Sequence, residues 1–260
     1  MSKTEALREE WHDTPVRGVS IGYWQGALDV KSHTSQLASS ISKLKLFPSK
    51  AAIYENIFGK SKSQLWESNN DIKLGEYKVI ENIDIESSKP LSKRNLECCS
   101  RSFSVGPSNI YFSGTPDTLT VESALDIASV WLQYTGPAYG FSTVQPQSYS
   151  HSFHIGLPTN HPDENWVRQV ESHQQVRNLK PHQDYYLGST MLDIFELNIL
   201  SPAHLSLSVF GTTLADWIAE GNRGSLKELK KDVFAWIVPD EIRIDIRQAF
   251  LKSRYLVVPV

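Results

Sequence analysis

Cysteine is almost missing from this sequence. There are two in 260 residues, and the pair, Cys98 and Cys99, is adjacent, which does not favour a bridge within the chain. No second pair completes a four-sulfur metal set. A reduced, cytosolic protein is the expectation. Long apolar runs are missing too. Nothing approaches the ~20 residues that span a bilayer. The first residues, MSKTEALREEWHD, are charged where a signal peptide would be apolar. An excess of one charge is also lacking. Lys plus Arg is 26 and Asp plus Glu is 29, a formal charge of −3, which argues against a basic, electrostatically driven nucleic-acid binder. Neither GxxxxGK[ST] nor GxGxxG occurs, so no phosphate cradle is signalled, and HExxH is absent as well. What the chain does have is aromatic residues, seven Trp, ten Tyr and ten Phe, and these demand a core.

Periodicity supplies the elements. From Val16, bulky Val19, Ile21 and Tyr23 alternate with Gly18, Ser20 and Gly22, a strand pattern with the bulky set facing inward. Val30 to Phe47 reads as a helix through Val30, Leu37, Ile41 and Leu44, stopped by Pro48. Residues 51–58 read as a strand. Residues 59–95 are polar and turn-rich, with one or two short strands expected around Tyr77–Ile85. Residues 96–105 and 109–113 read as antiparallel strands turning at Gly106-Pro107. Asp117, Thr118 or Thr120 is expected to cap a helix whose stripe is Val121, Ala124, Leu125, Ala128, Trp131 and Leu132. Strands are expected at 138–145 and 150–156, a polar helix at 162–178, and a strand at 203–210, where AHLSLSVF alternates. Thr212 or Thr213 caps a short helix ended by Gly221. VFAWIV at 233–238 reads as a strand, and Pro239-Asp240 opens a helix carrying Ile242, Ile246, Ala249 and Phe250. The regular spacing of βαβ units is absent. The expected class is α+β, a mainly antiparallel sheet packed with amphipathic helices. A change of character near residue 95 suggests an N-terminal α+β segment at 1–94 and a domain at 95–260, unless the chain is one continuous domain.

Two patterns invite a chemical reading. His151, His154, His161, His173 and His182 place five of eight histidines in 32 residues, with Asp163, Glu164 and Asp184 nearby. A metal-dependent hydrolase is therefore one alternative. The spacing speaks against it. His151 and His154 are three apart on an expected strand and point to opposite faces. His173 has no histidine or carboxylate four residues away. The second pattern is aromatic residues set among acids: Trp66 with Glu67, Trp166 with Glu164, and Asp184-Tyr185-Tyr186. Residues 184–245 carry ten acids against five basic residues. Exposed aromatics beside carboxylates suit an interface with a basic protein. Trp131, Trp217 and Trp236 lie in apolar stripes and are expected in the core.

Three stretches carry a family likeness: SALDIASVWLQYTGPAYGFSTVQP at 123–146, TMLDIFELNILSPAHL at 190–205, and GTTLADWI with VFAWIVPDEI across 211–242. Together they resemble the immunity protein 52 family of bacterial polymorphic toxin systems, over roughly residues 95–255. The resemblance implies an α+β protein that binds and silences a toxin, such as a type VI secretion nuclease effector. It implies no active site, no cofactor, no bound metal, no direct nucleic-acid contact and no membrane association. A homodimer stays open. The expected toxin contacts are Trp66, Glu67, Glu164, Trp166, Asp184, Tyr185 and Tyr186. A structural adaptor of a secretion assembly is the remaining alternative.

Overall fold

The computed structural model describes residues 15–23, 30, 34, 50–57, 60–67, 82–87, 102–105, 109–132, 138–146, 191 and 193–253. The chain divides into two compact units. The first comprises residues 1–20, 25–134 and 144–148, and the second residues 21–24, 135–143 and 149–260. The fold is α+β, and its strand pairing is mainly antiparallel.

In the first unit, β1 (Pro15–Tyr23) neighbours β6, and the order continues β6-β5-β4-β2-β3. Here β2 is Lys50–Ile57, β3 Lys60–Glu67, β4 Asn82–Ser87, β5 Ser102–Val105 and β6 Asn109–Gly114. The alternation read in β1 holds for Val19 and Ile21, but Val16 and Gly18 are buried as well, so both faces of this strand are covered. A Cβ on Gly18 would meet the Tyr111 hydroxyl at 3.3 Å, so glycine there lets the β6 aromatic lie against the backbone. β3 is a strand that periodicity did not reveal. KSKSQLWE has no regular apolar alternation, and it forms the end of the strand order, pairing with β2 from Ile57↔Lys60 through to Lys50↔Glu67. Val30 and Thr34 are helical, and the Thr34 hydroxyl donates to the Val30 carbonyl at 2.7 Å. The rest of the expected 30–47 helix lies outside the described residues. So do residues 1–14, 96–101, the strand expected at 150–156 and the helix expected at 162–178.

After β6, a turn brings the Thr118 and Leu119 amides to the Thr115 carbonyl at 3.0 and 2.8 Å. Helix α1 (Val121–Leu132) then starts at Thr120, whose hydroxyl accepts from the Ser123 amide at 3.2 Å. Of the three candidate caps, Thr120 fills the role, while the Thr118 hydroxyl is used within the preceding turn. Ala124, Leu125, Ala128 and Leu132 are buried as the stripe requires, joined by Ile127. Glu122, fully exposed in the first turn, has its carboxyl held below the usual range by a hydrogen bond from its own backbone and one from the Thr120 side chain.

In the second unit the strand order is β11-β12-β8-β7. β7 is Ala138–Pro146, β8 Leu197–Leu200, β11 Ser225–Lys230 and β12 Val233–Ile237. All four residues of β8 are buried, as expected of a short strand with neighbours on both sides. Its one polar member, Asn198, is fully engaged. The side chain accepts from the Phe195 amide at 3.1 Å and donates to the Phe195 carbonyl at 2.8 Å. A third contact reaches the Trp236 carbonyl at 3.4 Å.

The strand expected at 203–210 is replaced by a helical turn, α2 (Pro202–Leu205), and a small two-stranded sheet of β9 (Ser208–Val209) and β10 (Thr212–Thr213). Local chemistry overrides the alternation. Pro202 occupies the first helical position, and the Ser201 amide donates to His204 Nδ1 at 3.1 Å, closing a reciprocal cap. His204 is buried and its ring stacks on Tyr139 with centroids 5.2 Å apart. Helix α3 (Leu214–Glu220) follows, with the Asp216 amide donating to the Thr213 hydroxyl at 3.1 Å. Helix α4 (Asp240–Ser253) closes the described chain. The core of this unit gathers Phe141, Phe195, Leu200, Leu214, Trp217, Trp236, Ile246 and Phe250.

Candidate interaction surface

Among the described residues of the second unit, an aromatic cluster reaches from the core to the surface. Trp217 from α3 meets Phe250 from α4 edge-on with ring centroids 5.3 Å apart. Phe210 lies over both, at 5.4 Å from Trp217 and 5.7 Å from Phe250. Phe210 is the first residue of the two-residue turn between β9 and β10, with φ +50° followed by Gly211 at +90°. A bulky residue in the left-handed region costs about 1–2 kcal/mol, which the ring packing offsets. Even so, Phe210 keeps 49% of its surface exposed. Arg223 completes the cluster. Its guanidinium stands 4.1 Å above the Trp217 ring and donates to the Trp217 carbonyl, while Trp236 Nε1 donates back to the Arg223 carbonyl at 2.8 Å. Gly224, at φ +95°, makes this crossing feasible, since a Cβ there would run into the Ile237 carbonyl oxygen.

The charges around α4 are sorted unevenly. Arg243 pairs with Asp240 at 3.0 Å, and Arg247 Nε donates to Asp193 Oδ1 at 2.7 Å. Asp193 also accepts from the Ile194 amide at 2.8 Å, so that carboxylate ties the approach to β8 to the final helix. The three arginines of residues 193–253 are thus all engaged. Glu241 and Asp245, both exposed, make no ion pair among the described residues. Beside them Ile244 has 66% of its surface in solvent. The sequence signal for this residue was available in the stripe itself. Ile242 and Ile246 are four apart and share the inner face, whereas Ile244 lies about 200° from Ile242 at roughly 100° per residue.

Of the contacts expected from sequence, Trp66 and Glu67 fall at the end of β3, opposite Ala51 and Lys50 in the ladder with β2. Glu164, Trp166, Asp184, Tyr185 and Tyr186 lie outside the described residues, as do the histidines of 151–182 and the two cysteines. Trp217 and Trp236 are buried in the core; the Trp131 side chain lies outside the description. Among the described residues, no group of three or more His, Cys, Asp or Glu is placed to hold a metal ion, and no helix is long and apolar enough to cross a membrane. Residues 18–22, GVSIG, match GxSxG in letters. They run as extended strand inside β1, without the strand-to-helix turn that exposes a nucleophile.

No protein-family model matches the chain, and no curated protein matches it. Among solved structures, its fold is similar to that of the Pseudomonas aeruginosa T6SS protein PA0821. The TM-score is 0.53 at 10% identity, with 92% of this chain and 73% of that chain covered. At this identity the likeness is one of fold.

Proposed function

We propose that the chain is an immunity protein. It binds a cognate toxin, a type VI secretion nuclease effector, and silences it by covering the active or substrate-binding surface. The observation that carries this reading is the sorting of charge on the second unit. Among the described residues 193–253 the three arginines are engaged internally, while Glu241 and Asp245, beside the exposed Ile244, make no ion pair. Nucleases present basic, phosphate-facing clefts, and an acidic surface is steered to such a cleft and held in register there. The fold shared with a protein of the type VI system agrees with this reading, as does the likeness of the three motif stretches to immunity protein 52.

The contacts at Trp66, Glu67, Glu164, Trp166, Asp184, Tyr185 and Tyr186 belong to the same proposal. Charge reversal at Asp184 and Glu164 is expected to weaken toxin binding and flatten its salt dependence. Co-expression tests the function itself. Cells carrying the chain are expected to survive induction of the toxin encoded beside it. Killing at the rate of cells without the chain would overturn the reading.

A further inference from the structure

The outer face of α4 differs from a fully polar helix face in one respect: it holds a branched aliphatic in solvent. Ile244, at 66% exposure, is the most exposed large apolar residue among those described. On a helix its near neighbours are three and four residues away. On one flank stand Glu241 and Gln248, with Asp245 next in sequence, and neither carboxylate is paired among the described residues. On the other flank stand Asp240 and Arg247, each already in an ion pair with Arg243 and Asp193. Around Ile244 the face therefore has an apolar knob, an acidic side at Glu241 and Asp245 with Lys252 two turns further on, and a side that is internally neutralised.

We infer that this face is a docking site for a protein that offers an apolar recess to Ile244 and lysine or arginine side chains to Glu241 and Asp245. Charge complementarity selects that occupant. A second copy of the chain would bring the same unpaired carboxylates together, and like charges in juxtaposition oppose such a contact. An apolar anchor inserted in a recess supplies holding strength, while flanking charges set approach rate and orientation. This inference rests on the immunity reading and adds to it the part of the surface that does the work.

The test uses the full chain and, as probe, the catalytically inactive domain of the adjacent toxin. Ile244→Arg is expected to lower affinity about 30-fold or more, and Ile244→Ala about 10-fold, with melting temperatures unchanged because the position is exposed. Asp245→Lys is expected to slow association about 10-fold and reduce its dependence on salt. Glu228→Lys, on β11, is the control and should stay within about twofold of the unaltered chain. Affinity for Ile244→Arg within threefold of the unaltered chain overturns this face and leaves the immunity reading standing. Failure of the unaltered chain to bind the probe overturns both. Should Ile244→Arg melt early, Ile244→Ala and Asp245→Lys decide the matter by the same thresholds.

Discussion

The β2–β5 strands and residues 193–253 reach order by different routes. In the first region the strands are set by register. β2 pairs with β3 over eight positions and with β4 over six. In the second region the elements are short, and side chains lock each one. Thr213 caps α3, His204 and Ser201 close α2, Asn198 ties β8 to its approach, and Arg247 joins α4 to Asp193. A ladder is robust to a change of any single side chain but vulnerable in its backbone. A side-chain lock fails the other way round.

That contrast can be broken or sharpened in steps. Phe250→Ala removes a fully buried ring that touches Trp217, Trp236 and Phe210, and about 3–5 kcal/mol of stability should go with it. Urea denaturation measures this, and a loss under 1 kcal/mol would show that the aromatic cluster does not hold the second unit together. In the other region the equivalent damage needs the backbone. β2 has a partner on each side, so Ile53→Pro removes a ladder bond whichever way its amide points, at about 3 kcal/mol or more, whereas Ile53→Val should cost far less. Equal effects of the two substitutions in thermal unfolding would erase the distinction. Thr213→Ala takes the cap from α3 and should cost about 1 kcal/mol. Stability unchanged within error would mean that the cap is not a lock.

The smallest effect is expected at Glu122. Its carboxyl stays ionised to lower pH than an ordinary glutamate because its own backbone and Thr120 hydrogen-bond the charged form. Its folded-state titration is depressed, so its contribution is present at neutral pH and fades as pH falls through that lowered point. A carboxyl titration followed by NMR should place its midpoint below that of exposed glutamates, and Thr120→Ala should move it back up.

Much of the fold was legible in the sequence, and the failures have physical causes. α1, α3 and α4 announced themselves through apolar stripes and caps, and β1, β2, β7 and β12 through bulk and alternation. β3 and β11 were missed because KSKSQLWE and SLKELK carry no one-sided apolar pattern, each lying at the end of its strand order where neither face need be apolar. β8 was missed because four consecutive buried residues show no period at all. AHLSLSVF alternates, but Pro202 and the Ser201–His204 cap decide its first half locally. The interaction surface was harder still. Acids near aromatics mark a kind of surface, whereas Ile244 enters the proposed one because it falls off its own helix's stripe and because the neighbouring arginines are already paired. Pairings such as Arg247 with Asp193, 54 residues apart, are fixed only by the fold.

Hydrogen exchange on the full chain, alone and with the inactive toxin domain, tests the central claim most directly. The account predicts that the complex forms and that amides of Asp240–Ser253 exchange more slowly in it. A complex in which that helix exchanges at the free-chain rate would contradict the account.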